Sequence, residues 1–425
     1  MLEKYFVGSS TLRRYRIGPL GNHIDALAAR FHEQGYAVHS ARTLLRCVSH
    51  LSHYLSWQGV AHVGELHPEH IHAFLTDHLP NCSCERPNSG AFATMPAAVH
   101  HLMEHLREQG IWSDCESVEI PPDSVEGTLM RYDRYLGTIR GLSDKSRGLH
   151  RSIIKRFLDA RYNRLGDLRL AELTGGDVLD YSREALATPY SSARKRSVLD
   201  CLRRFLRFLC WERIQSHDLS RAVPSVVHWK LADVPKHLPV DGVRLLLGSP
   251  NTGTPIGLRD RAILMLLSLL GLRACEIVAL KLDHVHWRES QLTIPRAKSS
   301  RQRSLPLPPE AAEVLCQYLQ DGRPKTRSRA IFLRHRAPVA PLSSSQVGTI
   351  VRKYILQAGI KDAPKLGAHV LRHSLATCLV NEGIPMKQIS DILGHRNLES
   401  TYIYTKVDVR SLSEVSRPFP ALKEN

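Results

Sequence analysis

The chain has 425 residues, with 58 Lys and Arg against 41 Asp and Glu, a formal charge of +17 and a sequence pI of about 9.6. At about 100–200 residues per domain that length predicts two to four domains, and 43% hydrophobic content supplies their cores. Disorder as the main state and a collagen-like or coiled-coil rod are excluded, because the sequence has neither the composition nor a sustained repeat.

No segment reaches the roughly 18–20 apolar residues of a membrane span. The longest apolar stretch, Ala262 to Leu272, lies between Arg261 and Arg273 and predicts a buried helix. The N-terminus lacks an apolar core followed by a small-residue cleavage site, so no secretory signal and no membrane partner are expected. Nine scattered cysteines fit reduced thiols in a cytoplasmic protein better than a disulfide framework. The charge surplus points to a polyanionic partner, nucleic acid before a membrane surface.

Three regions follow in chain order. The first runs from Met1 to about residue 120, and thirteen of the 23 histidines precede residue 106. It reads as an extra helical domain, a degenerate copy of the region that follows it: Tyr54-Leu55 and Gly64-Glu65-Leu66 have the polar and apolar order of Phe157-Leu158 and Ala171-Glu172-Leu173. His78, Cys82, Cys84, His100, His101 and Cys115 could ligate zinc, but they lack a C-x2-C pair, and the sequence assigns no metal.

Pro121-Pro122-Asp123-Ser124 predicts a linker. The second region, 125–222, reads as a small helical bundle. Asp144 is expected to cap a helix burying Leu149, Ile153, Ile154, Phe157 and Leu158. A shorter helix around Val178 and Tyr181 follows. Ser191 or Ser192 starts another, burying Val198, Leu202, Phe205, Leu206 and Leu209. Its remaining faces carry Arg194, Lys195, Arg196, Arg203, Arg204 and Arg207, candidates for the backbone of DNA or for a solvated face.

The third region spans 236–410, with a tail over 411–425. Leu258 opens an apolar helix that Gly271 is expected to terminate, and Arg273 follows where a second helix starts. An arginine fixed at such a junction suits a phosphate, whose oxygens its fork meets in a set direction. Gln291–Pro295 and Ser304–Leu307 predict a hairpin around a basic turn carrying Lys298, with Arg301 and Arg303 as further candidates for DNA binding. His369 and Arg372 share a helical face, and a segment from His395 to Tyr404 follows.

The ordered motifs GLRACE, AKSSRQRSLPL, HVLRHSLAT and LGHRNLESTYIYTKV resemble the tyrosine recombinases, also called the phage integrase family. The resemblance covers the third region and extends to the second, which is similar to the family's core-binding domain. It implies a mainly α fold with a small β component: a helical, SAM-like core-binding domain and an α+β catalytic domain. It implies a site-specific recombinase or integrase of a phage or mobile element that cuts and rejoins DNA through a 3′-phosphotyrosyl intermediate and a Holliday junction. Double-stranded DNA is the implied partner. The resemblance further implies a homo-tetramer assembled on that DNA, with or without partner recombinases, and no cofactor.

Carried over by position, Arg273 and Arg372 bind the scissile phosphate and Lys298 protonates the leaving 5′ oxygen. His369 is the acid/base histidine, His395 bonds the transition state and Tyr404 is the nucleophile. Glu276 supports the site. Arg296, Arg301 or Arg303 compete with Lys298 as the useful hairpin cation, and Tyr402 stands two residues from Tyr404. No Asp/Glu cluster for magnesium is apparent. A type IB topoisomerase and a recombinase-like regulator without catalysis are the alternative readings; the Xer-like spacing and the complete set of residues argue against them.

Overall fold

The computed structural model describes residues 1–82, 84, 91–112, 121, 123–226, 236–295, 302–361, 363–395 and 400–407. The Lys298 hairpin tip and the 411–425 tail fall outside them. Residues 1–112 and 233–425 make one compact unit and 113–232 a second.

In the first region, α1 (Ser9–Tyr15), α2 (Gly21–Glu33), α3 (Val38–Trp57), α4 (Pro68–Ala73) and α5 (Ala91–Glu108) enclose a core that includes Leu27, Phe31, Leu51, Leu55, Phe74 and Leu102. This core is separate from that of the third region, yet the two meet: the Val339 amide donates to the Gln34 carbonyl at 2.9 Å.

In the second unit, α6 (Val125–Thr138), α7 (Asp144–Leu165), α8 (Gly175–Ala187) and α9 (Ser192–Trp211) bury the apolar faces read from the sequence. Two details differ. Ser143 holds the cap position of α7, while Asp144 sits in the first turn and binds Arg147 at 2.8 Å. Leu149 is exposed, and His150 takes the buried position, its Nδ1 at 2.9 Å from the Tyr132 hydroxyl. The start of α9 is settled at Ser191, whose hydroxyl accepts from the Arg194 amide. The order of a long helix, a 3-10 turn, a shorter helix and a long helix occurs in both regions: α3, Val63–Glu65, α4, α5 and α7, Leu170–Glu172, α8, α9.

The third region is built around α11 (Pro255–Leu269), buried on most sides by Ala262, Ile263, Leu264, Leu266 and Leu267. Preceding it is α10 (Val240–Gly248), and α12 (Ala274–Ala279) comes after. Then β1 (Val285–His286), β2 (Gln291–Ile294) and β3 (Arg303–Pro306) form an antiparallel sheet in that order, with Leu292 opposite Leu305 and Ile294 opposite Arg303. Leu292, Ile294 and Leu305 face the core, as the period-two pattern requires. The chain continues through α13 (Pro309–Gln317), α14 (Ser344–Gln357), α15 (His369–Asn381) and α16 (Met386–Leu393), then a 3-10 helix at Tyr402–Val407. Among the described residues no helix is long and apolar enough to cross a membrane.

Candidate active site

The end of α11 fixes the first arginine. Helix geometry stops at Leu269, and Gly271 turns the chain with φ +60°, a conformation that L side chains adopt at a cost. A Cβ at Gly271 would lie 2.7 Å from Leu393 Cδ2 and 3.0 Å from Leu375 Cδ2, so glycine is needed for both backbone and packing. Arg273 then caps α12, its amide donating to Glu276 Oε2 at 2.9 Å and its Nη1 to Oε1 at 2.9 Å.

Glu276 is fully buried and also receives Arg303, from Nη1 at 3.0 Å and Nη2 at 3.1 Å. Burial alone would raise the carboxyl pKa; the hydrogen bonds and charges of Arg303 and Arg273 outweigh it and hold it at about 2. Arg303 also donates Nε to the Ile392 carbonyl at 3.1 Å. Its guanidinium is thus committed to a buried carboxylate and positions Glu276.

Arg372, on the buried side of α15, donates Nη1 to the Gly271 carbonyl at 2.6 Å and Nη2 to the Leu393 carbonyl at 2.7 Å. Arg273 Nη2 reaches the next carbonyl, Gly394, at 3.3 Å. The two arginines thus converge on adjacent peptide units at the end of α16. Gly394 ends that helix at φ +65°, and a Cβ there would lie 2.5 Å from Arg303 Nη1. Burial, then the charge of Arg273, lowers the Arg372 pKa to about 10, which leaves it charged at neutral pH. Each guanidinium keeps N–H donors beyond those used in these bonds.

The histidines are held neutral. His395 Nδ1 lies 2.7 Å from the buried Thr401 hydroxyl, and burial together with Arg372, Arg273 and Arg303 lowers its pKa to about 4. His369 opens α15 on an exposed face; desolvation and the charges of Arg372, Arg273 and Lys365 lower its pKa.

Tyr404 is 2% exposed and Tyr402 44%. The Tyr404 ring packs with Ala376, Val380, Ile389 and Leu393, and its hydroxyl lies 2.8 Å from His373 Nδ1. Burial raises the phenol pKa, while Arg372 and Arg273 act in the opposite direction. His373 is the residue that sequence reasoning missed. Burial and the charges of Lys365 and Arg372 lower its pKa to about 4, so its ring is neutral and can accept a hydrogen bond from the Tyr404 hydroxyl. Its adjacency to Arg372 was visible, but nothing local linked it to a tyrosine 31 residues on.

Arg273, Arg372, His369, His395, Tyr404 and Glu276 are therefore brought together; Lys298 and Arg301 lie outside the described residues. The basic residues of α9 do not form one stripe. At 3.6 residues per turn Arg196, Arg203 and Arg207 share a face, flanked by Arg204, while Arg194 and Lys195 point elsewhere. Arg203 binds Asp200 at 2.8 Å and the Pro224 carbonyl at 2.7 Å, Arg207 Nε reaches Ser220 Oγ at 3.2 Å, and Lys195 reaches the Leu186 carbonyl. Arg194 lies over the Tyr190 ring. Arg204 and Arg207 are exposed.

Two fixed guanidiniums, neutral imidazoles and a phenol form a site able to hold an oxyanion beside a nucleophile. The phage integrase family model matches residues 236–410. The putative integrase/recombinase y4rA of Sinorhizobium fredii is 33% identical over 419 residues, 98% of this chain and 99% of its own length, so the match takes in the N-terminal bundle. Tyrosine recombinase XerD of Haemophilus ducreyi is 33% identical over 251 residues, 58% of this chain and 82% of its own. The solved XerH site-specific recombinase, bound to palindromic difH substrate, shares the fold with TM-score 0.51 at 18% identity, covering 81% of this chain and 93% of that one. The chain belongs to the phage integrase family of tyrosine recombinases, the DNA strand transferases of site-specific recombination.

Proposed function

We propose that this recombinase cleaves one DNA strand with Tyr404, forming a 3′-phosphotyrosyl link, and rejoins it to a partner strand at the ends of a mobile element. The observation that carries the reading is the enclosure of Tyr404 against neutral His373, in a cluster where Arg273 and Arg372 are anchored on adjacent carbonyls. The phenol is protonated at neutral pH, so attack requires a base. In the proposed step the Tyr404 proton passes to an imidazole, His373 or His369, as Oη bonds to phosphorus. The P–O5′ bond breaks, and the leaving oxygen takes a proton from Lys298. Arg273 and Arg372 stabilise the charge that builds on the non-bridging oxygens, with a hydrogen bond from His395. A 5′-hydroxyl of the partner strand reverses the same steps, so the bond energy is kept in the phosphotyrosine and no nucleotide cofactor is consumed.

The reaction would proceed one strand at a time through a Holliday junction, on a tetramer assembled by DNA. The 125–222 bundle would serve as a core-binding domain, and the similar element order in 1–112 supports reading that bundle as a divergent copy. DNA fragments selected by binding from the host genome, rebuilt as nicked suicide duplexes, test the reading. A covalent adduct should accumulate in EDTA. Specific binding without an adduct, or cleavage that strictly requires magnesium, would overturn it.

A further inference from the structure

The first region brings four chemistry-bearing side chains to one point, away from the candidate active site. His50 lies on α3, His78 ends the turn Phe74–His78, and Cys82 and Cys84 follow the 3-10 turn Leu79–Asn81. Their ligand atoms all lie within 4.8 Å of one another. His50 Nε2 is 3.2 Å from His78 Nε2 and 3.4 Å from Cys82 Sγ, and Cys84 Sγ is 3.7 Å from His78 Nε2.

These are the edges of a coordination tetrahedron. Zinc with Zn–N of about 2.05 Å and Zn–S of about 2.3 Å has N···N edges of about 3.3 Å and N···S edges of about 3.6 Å. The ring planes are set by packing: His50 meets Phe74 edge-on at 5.3 Å, and His78 stacks on Phe74 at 5.4 Å and tilts over Tyr54 at 4.7 Å. The Cys84 amide points to Cys82 Sγ at 3.5 Å, a donor that stabilises a thiolate.

We propose that His50, His78, Cys82 and Cys84 bind one zinc ion as a structural site. Two thiolates balance the dication, and the two thiol protons leave to solvent. Four protein ligands complete the tetrahedron and leave no position for catalysis. The ion cross-links the middle of α3 to the short-helix segment that ends at His78 and to the cysteines that follow it. The sequence reading of no metal is revised here. It looked for close pairs, whereas His50 precedes His78 by 28 residues and the cysteines form a C-x-C pair. His100 and His101 instead lie beside Glu104, at 3.5 and 3.6 Å, and Cys115 lies outside the described residues.

The test is the metal content of the full-length protein purified without chelator, with its X-ray absorption spectrum. The expected result is about one zinc per chain in a two-sulfur, two-nitrogen shell. Cobalt(II) exchanged into the protein should give tetrahedral d–d bands and a thiolate charge-transfer band. C82S/C84S should lose at least nine-tenths of the zinc and both cobalt signals, while H100A should keep them. Folded wild-type protein with no stoichiometric zinc and no tetrahedral cobalt spectrum would overturn the proposal, whatever the variants do. So would zinc retained in full by C82S/C84S.

Discussion

Glu276 is the joint between two arginines, and replacing it isolates what that joint contributes. Glu276→Gln keeps the shape but removes the charge that Arg273 and Arg303 share. The fall of the carboxyl pKa from 4.5 to about 2, at 1.36 kcal/mol per pH unit, corresponds to about 3 kcal/mol, in the range for breaking a buried pair. The sign follows from linkage. A carboxyl with a depressed folded pKa stabilises the fold in full above its unfolded value near 4.5, and the contribution is lost as pH falls toward 2. The gap between wild type and variant should therefore be about 3 kcal/mol at pH 7 and narrower by about 0.8 kcal/mol at pH 4. Pulse-labelling hydrogen exchange across a urea titration, followed on peptides from 255–295, reads this region apart from the other two cores. An unchanged midpoint at pH 7, or a gap that widens on acidification, would refute the reasoning.

Other outcomes follow from the same geometry. Gly394→Ala should cost about 1–3 kcal/mol, because it strains a left-handed position and drives a methyl group into the Arg303 guanidinium; thermal unfolding reads it. His373 and His395 hold pKa values of about 4, so both stay neutral well below pH 6.5. The single-turnover cleavage rate should show no loss from their protonation until pH approaches 4, although folding stability declines below pH 6.5 as the unfolded histidines take up protons. A midpoint near 6.5 that moves in His373→Gln would contradict this. Arg204→Gln and Arg207→Gln should each lower the salt slope of DNA binding by about 1 if each side chain meets one phosphate; titrations at several salt concentrations measure it.

The readable parts of this chain were those in which chemistry and local order coincide. Arg273 follows a helix-ending glycine, Arg372 follows His369 by three residues, and the alternation in 291–294 and 304–307 marks a hairpin. The less readable parts depend on partners distant in the chain. Arg303 has a hairpin cation's sequence context, yet its carboxylate is 27 residues earlier. His373 gains meaning only once Tyr404 folds against it, and the proposed zinc ligands only once His50 of α3 lies beside His78, Cys82 and Cys84. Leu149 was misplaced because an apolar residue at the edge of a helical face can yield its buried position to a histidine with a hydrogen-bond partner.

The choice of nucleophile tests the account most directly. Tyr404 is enclosed with His373 while Tyr402 is largely exposed. Trapping the covalent complex on a nicked suicide duplex and sequencing the DNA-linked peptide should locate the nucleotide on Tyr404. Tyr404→Phe should abolish the adduct, and Tyr402→Phe should retain it. A nucleotide on Tyr402, or an adduct that survives in Tyr404→Phe, would contradict the account.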